Sequence, residues 1–232
     1  MNKKFLLSFL SLSLIIILVV ACEKDYTKEP VNPPPPVVSK SFVEEFDSAS
    51  SLSRKGWVIT NLSTPAGGSA WRQGKYELGG KFGNEIVGFP AYSAVYSPTE
   101  FISADLGATD NAGKISCWLI TPSIPAKNGD EFSFYTRSTG NYPERLQVRG
   151  NYTNQSANVG NDLTSVGDFT NLLVDIDPDY TGLYPGAWTK YTITFAGLTG
   201  IVNVRLAFRY MVDDTAVNGE MIGVDKVEFV SK

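Results

Sequence analysis

The chain contains no histidine. That excludes a Ser-His-Asp triad, a Cys-His dyad and any zinc or iron site that relies on imidazole, and leaves carboxylate, Lys, Tyr, Ser or Thr chemistry open. Cysteine is nearly absent too, with Cys22 and Cys117 the only two among 232 residues. If Cys22 is consumed by modification, Cys117 has no partner and the mature chain holds no internal disulfide. Cys117 lies in Ile115-Ser116-Cys117-Trp118-Leu119-Ile120, which reads as a strand, so it is expected to pack as a small apolar residue and not to act as a reactive thiol. A basic excess is also missing. The formal net charge of −4 gives no electrostatic footing for nucleic acid or for an anionic membrane surface. No amphipathic helix and no internal repeat stand out.

What is present begins with Lys3 and Lys4, followed by an apolar run from Phe5 to Ala21 that ends Val19-Val20-Ala21-Cys22. The run is shorter than the ~20 residues a spanning helix needs, and it stops at a small residue, as a cleavage site requires. This resembles a lipobox, so residues 1–21 are expected to be a signal peptide and Cys22 the lipidated new N-terminus. An uncleaved signal anchor with an incidental cysteine fits the position and flanks less well. Glu23-Lys24-Asp25 resembles the export signal of Bacteroidetes-type surface lipoproteins, which implies an outer-membrane, cell-surface address. Residues 22–40 carry Pro30 and the run Pro33 to Pro36. They read as an extended spacer of ~3 Å per residue, holding a domain clear of the lipid.

From Ser41 to Lys232 the sequence alternates. Val202, Val204, Leu206, Phe208, Tyr210 and Val212 fall on one face of a strand, with Asn203, Arg205 and Arg209 on the other. Thr189 to Phe195, Glu131 to Arg137 and Arg145 to Arg149 repeat the pattern, and Gly, Asn, Asp and Pro cluster between them. Many short strands with one-sided polarity predict an all-β antiparallel sandwich, at this length a jelly roll, in a single domain over 41–232. Residues 151–186 are polar and poorly periodic, and are expected to contain a long loop or an edge excursion.

Several strings together carry a resemblance. They are Phe42-Val43-Glu44-Glu45-Phe46-Asp47, Gly56-Trp57, Trp118-Leu119-Ile120-Thr121-Pro122, Asn128-Gly129-Asp130, Pro143-Glu144-Arg145-Leu146 and Ile222-Gly223-Val224-Asp225-Lys226-Val227. In order and spacing the set resembles the choice-of-anchor J domain family, related to cleaved-adhesin domains of secreted bacterial proteins. The resemblance implies a jelly-roll β-sandwich similar to galactose-binding and MAM-type domains. It implies no enzyme activity, a link to adhesion, and structural calcium. Relatives often carry Asp-Asn where this chain has Ser116-Cys117, so a polar role at that position is in doubt.

Phe42, Glu44 and Phe46 share a face of the first strand, and Asp225, Val227 and Phe229 share a face of the last, so two carboxylates are expected to point inward. Buried carboxylates need a cation or full hydrogen bonding. Either calcium or loop amides and an Arg would serve, and Glu44, Asp225, Asp47 and Asp105 are the candidate ligands. Asp175-Ile176-Asp177-Pro178-Asp179 opens like a calcium loop, but an EF-hand would need Gly at Tyr180 and Glu at Gly186. Gly68 to Lys75 is one residue too long for a phosphate loop, and Tyr76 replaces its Ser or Thr. Among the four tryptophans Trp71, in a Gly-rich stretch, is the candidate for stacking on a sugar, although sandwich tryptophans are mostly packing. Asp214 and Asn218 form a second polar loop that is a candidate for ligand contact.

These features predict a non-enzymatic module, anchored to the membrane through lipid on Cys22, that binds a glycan or protein ligand. An accessory or structural subunit of an outer-membrane complex is the alternative. A carboxylate hydrolase would need two carboxylates facing one cleft, and no such pair can be located by sequence.

Overall fold

The computed structural model describes residues 40–76, 81–82 and 85–232. The expected signal peptide over residues 1–21, Cys22 and residues 22–39 of the expected spacer lie outside the described residues. Fifteen strands follow in order. They are β1 (Phe42–Glu44), β2 (Val58–Asn61), β3 (Thr64–Ala66), β4 (Arg72–Gln73), β5 (Lys81–Phe82), β6 (Glu85–Ile86), β7 (Ile102–Asp105) and β8 (Thr109–Ile120). The rest are β9 (Ile124–Ala126), β10 (Glu131–Ser138), β11 (Arg145–Asn151), β12 (Asn171–Ile176), β13 (Thr189–Thr194), β14 (Val202–Val212) and β15 (Met221–Val230).

The first sheet runs β13-β10-β15-β7-β4, with β1 pairing β15 beyond the end of β7. The second runs β12-β11-β14-β8-β2, with β9 on β14 and β3 on β8. All these pairings are antiparallel, and the chain crosses between the sheets from β7 to β8, β9 to β10, β10 to β11, β12 to β13, β13 to β14 and β14 to β15. The result is the predicted β-sandwich of jelly-roll type. The alternation in the sequence explains its core. Phe132, Phe134 and Phe229 of the first sheet meet Leu146, Val148, Phe208 and Tyr210 of the second, all fully buried. Phe134 and Phe208 pack edge to face with centroids 5.0 Å apart. Each such side chain contributes ~1.5–3 kcal/mol on leaving water. Cys117 is buried in the same core as a free thiol, as a small apolar residue would be.

The alternation of β15 breaks once. Ile222 and Val224 face the core, and so do Val227 and Phe229, which requires a three-residue step between 224 and 227. The step is a bulge: Ser133 pairs with Glu228 but Tyr135 pairs with Asp225, and Lys226 takes φ 45°. Asp225 follows the alternation of Ile222 and Val224 and lies on the outer face, alongside Tyr135, and the bulge after it returns Val227 and Phe229 to the core. The expectation that Glu44 and Asp225 both point inward is therefore wrong for Asp225.

The outer face of the second sheet is not bare. The segment between β11 and β12 folds back over it, placing Val159 and Phe169 on Trp118, Ile120 and Ala207. Arginines that alternation assigns to the outer face hold this segment by donating to its carbonyls. Arg205 reaches Gln155 O at 2.8 Å, Arg149 reaches Phe169 O at 3.1 Å, and Arg209 reaches Leu163 O. A poorly periodic segment thus packs without a ladder of its own, because side chains satisfy its backbone groups.

Candidate functional site

A loop from Gly88 to Glu100 lies on the outer face of the first sheet. Phe89 and Phe101 at its ends stack with centroids 5.2 Å apart, join Met221, and pack edge-on against Trp188. Gly223 beneath them is required: a Cβ there would stand 2.8 Å from the Phe89 ring and 2.9 Å from Trp188. The Arg137 guanidinium sits 4.3 Å above Phe89, and Trp188 Nε1 donates to Pro90 O at 2.9 Å.

Two buried carboxylates then fix the middle of the loop. Asp225, on the outer face just before the bulge, accepts the amides of Tyr92 at 2.8 Å and Ser93 at 3.0 Å on Oδ2, and that of Lys226 at 2.7 Å on Oδ1. Glu100 accepts the amides of Val95, Tyr96 and Ser97, which hold its carboxyl below the usual range. With the backbone tied down on the inside, the side chains point out. Tyr96 is 90% exposed, Val95 70% and Tyr92 44%. Tyr92 also stacks on Tyr135 of β10 at 3.6 Å between centroids, and the Lys190 ammonium lies 5.9 Å from the Tyr135 ring. Together these residues make an aromatic surface on a rigid support, which is how binding loops are commonly built.

Most of the residues marked out by sequence have other tasks. Trp71 is 3% exposed and belongs to the core, where Nε1 donates to Cys117 O at 3.0 Å, so it is not available for sugar stacking. Two of the glycines near it serve close packing: a Cβ on Gly67 would fall 2.4 Å from Gly107 O, and one on Gly74 2.3 Å from the Phe101 ring. Asp214 is exposed and accepts the Ala216 amide at 2.9 Å, while its carbonyl accepts that of Asn218 at 3.0 Å, so the two residues shape a turn. Asp105 pairs with Arg72 and accepts the Gly107 amide at 3.0 Å. Asp47 is exposed. Glu44 remains on the inner side and is held by the Lys55 ammonium at 2.8 and 3.0 Å, which provides the charge a cation would have supplied.

The four predicted calcium ligands therefore do not converge, and among the described residues no group of three or more acidic or thiol side chains forms a metal site. One smaller acidic pair, Glu45 and Asp225, carries an unmatched oxygen. Glu45 Oε2 is buried without a hydrogen-bond partner, and Lys226 approaches Oε1 at 3.5 Å. Burial, with the nearby charge of Glu45 adding to it, pushes the Asp225 carboxyl up to about 7 against its three amides. A hard cation would find two oxygen donors here.

Two open grooves lie elsewhere on the surface of the described residues. One of about 870 Å³ lies between residues 61–64, Gly113, Lys114 and residues 161–164. Its only carboxylate, Asp162, is committed to Thr164 and Ser165. The other, of about 410 Å³, runs between β1 and β9, with Lys55 and Trp57 beside it, and its only carboxylate is the paired Glu44. Neither groove brings together two carboxylates.

No protein-family model and no curated protein matches this sequence. Among solved structures, the K1 cleaved adhesin domain of Lys-gingipain from Porphyromonas gingivalis W83 is 20% identical, with a TM-score of 0.52 over 84% of this chain and 99% of that one. This chain shares the cleaved-adhesin fold. The K2 cleaved adhesin domain of Lys-gingipain gives 15% identity and a TM-score of 0.50 over 83% of this chain and 100% of that one. At these identities the likeness establishes the sandwich, and a function has to be argued from the surface.

Proposed function

We propose that this chain is a lipid-anchored surface protein of the choice-of-anchor J type, whose sandwich binds a glycan or protein ligand through the loop carrying Tyr92, Val95 and Tyr96. The observation that carries this reading is the exposure of Tyr96 and Val95 on a backbone fixed by Glu100 and Asp225. Exposed apolar side chains on a floppy loop would lose conformational entropy on binding. A loop already ordered by buried carboxylates loses little. The aromatic rings suit the CH-rich face of a sugar or an apolar patch on a protein. The grooves, each with a single committed carboxylate, support binding over hydrolysis.

The lipid on Cys22 and the outer-membrane address rest on the N-terminal sequence. In this reading the proline-rich segment displays the aromatic loop away from the membrane. Calcium enters at one place only, as a structural ion between Asp225 and Glu45 that would relieve their repulsion and stiffen the base of the loop.

The test is binding of the detergent-solubilised full chain to glycan and host-protein arrays, beside the variant Tyr92→Ala/Tyr96→Ala. The reading expects at least one saturable ligand whose signal falls roughly tenfold or more in the variant, given the ~1–3 kcal/mol that exposed aromatic contacts lend to recognition. A ligand bound equally by both proteins would move the site elsewhere, and silence on both arrays would remove the reading.

A further inference from the structure

The outer face of the second sheet carries more guanidinium than it neutralises. Strand register sets Asp175, Gln147, Arg209 and Trp118 in one row across β12, β11, β14 and β8, with Arg145 and Arg149 two residues to either side of Gln147 on the same face. Arg145 is satisfied: Nε and Nη2 grip Asp175 at 2.9 and 2.8 Å, and the same carboxylate takes Gln147 Nε2 at 2.9 Å. Arg149 and Arg209 are not. Arg149 donates Nε to Gln147 Oε1 and Nη1 to Phe169 O, both at 3.1 Å. Arg209 donates Nε to Ser116 Oγ at 3.0 Å and Nη2 to Leu163 O. All four acceptors are neutral. Among the described residues no carboxylate comes within 4.0 Å of either guanidinium, and the donors of Arg149 Nη2 and Arg209 Nη1 have no protein partner.

Arg209 is only 3% exposed. A cation so deeply buried is ordinarily matched by an anion, because burial removes its water without replacing it. The Trp118 ring 4.8 Å away offsets part of that loss. Burial, then repulsion by Arg149 and Arg145, pulls the Arg209 guanidinium down to about 10. All this sits on a chain of net charge −4, so the cluster runs against the sign of the whole.

We infer that Arg149 and Arg209, with Arg145 beside them, form an oxyanion site that accepts a carboxylate or sulfate group of a ligand. Two planar forks with free terminal donors suit the paired oxygens of such a group, which a neutral sugar hydroxyl would not match. The oxyanion can arrive as a free ion or as a substituent of an acidic polysaccharide. The site lies on the opposite sheet from the aromatic loop, so it stands or falls independently of that reading.

The test is calorimetric titration of the full chain, wild type and Arg149→Gln, with sodium sulfate, polygalacturonate and dextran at constant ionic strength. The inference expects saturable binding of sulfate or polygalacturonate, weakened by added chloride, weaker by roughly tenfold or more in Arg149→Gln, and no binding of dextran. Sulfate alone assigns a free anion, and polygalacturonate alone assigns an acidic glycan. No binding of either anion, or equal binding by the variant, overturns the inference. A second readout uses the unaltered protein: the anion that binds should slow modification of Arg149 by phenylglyoxal, followed by mass spectrometry. An unchanged rate also overturns it.

Discussion

Replacing Glu144 by glutamine should flatten the pH dependence of stability above neutrality. Glu144 is fully buried just before β11, and its carboxylate ties the two sheets together. Oε2 accepts the Tyr210 hydroxyl of β14 at 2.8 Å, while Oε1 accepts the amides of Glu220 at 2.6 Å and Met221 at 2.9 Å, where β15 begins. Burial pushes its carboxyl up to about 8, although the three donors oppose the shift. Because the folded value lies above the unfolded one, the native state holds a proton that the unfolded state has released. Stability therefore falls as pH rises between the usual glutamate range and about 8, with a slope of up to ~1.4 kcal/mol per pH unit and a total of about 5 kcal/mol. Asp225, also raised, gives a slope of the same sign that fades above about 7, so Glu144 dominates the interval from pH 7.5 to 8.5.

In Glu144→Gln the amide oxygen can accept both backbone amides, and the amide nitrogen can donate to the Tyr210 oxygen. All three contacts survive without a charge. The variant should match the wild type within about 1 kcal/mol at pH 5 and exceed it by a few kcal/mol at pH 8.5. Glu144→Ala would strand three buried donors at ~1–3 kcal/mol each and should be weaker at every pH. Urea titrations followed by tryptophan fluorescence from pH 5 to 9 measure all three proteins. A wild-type stability that stays level from pH 7 to 8.5, or a slope that persists in Glu144→Gln, would refute the reasoning.

Trp71→Phe should lower stability by about 1–2 kcal/mol, since it removes the Nε1 donor from a buried carbonyl, and leave array binding unchanged. Lost binding by a chain with a normal urea midpoint would put Trp71 back in the site. Arg209→Met should loosen the segment between β11 and β12, raising chymotryptic cleavage after Leu163 and Phe169 roughly tenfold while leaving the first sheet intact. Unchanged cleavage, mapped by mass spectrometry, would remove the clamp from the account. If calcium binds at Asp225 and Glu45, millimolar calcium should raise Tm in the wild type and in Glu44→Gln but not in Glu45→Gln. An identical Tm with calcium and with chelator would dispose of the metal.

The strands were legible because alternation is a direct consequence of having one buried face. β14 spans the predicted Val202–Val212, and Phe132, Phe134, Leu146 and Val148 all face inward as read. What alternation does not encode is what lies against the other face. Asn203, Arg205 and Arg209 read only as the polar face of the strand, yet Arg209 is buried, because carbonyls far along the chain bring their segment down onto the arginines. The bulge in β15 did leave a mark, since apolar residues at 222, 224, 227 and 229 cannot share one face of a regular strand. Reading Asp225 with Val227 and Phe229 missed it by starting from the wrong end.

The Gly-rich stretch around Trp71 misled for a related reason, as glycine marks close approach as often as exposure. The loop with Tyr92 and Tyr96 gave no signal of its own, because one of the carboxylates that orders it, Asp225, is more than a hundred residues away in sequence. Asp225 keeps the alternation that begins at Ile222 and Val224, and the bulge at Lys226 then returns Val227 and Phe229 to the core. One strand thus offers its outer face to the loop amides at Asp225 and its inner face to the core on both sides of the bulge. Alternation counted back from Phe229 hides this, because the period changes phase between Asp225 and Val227.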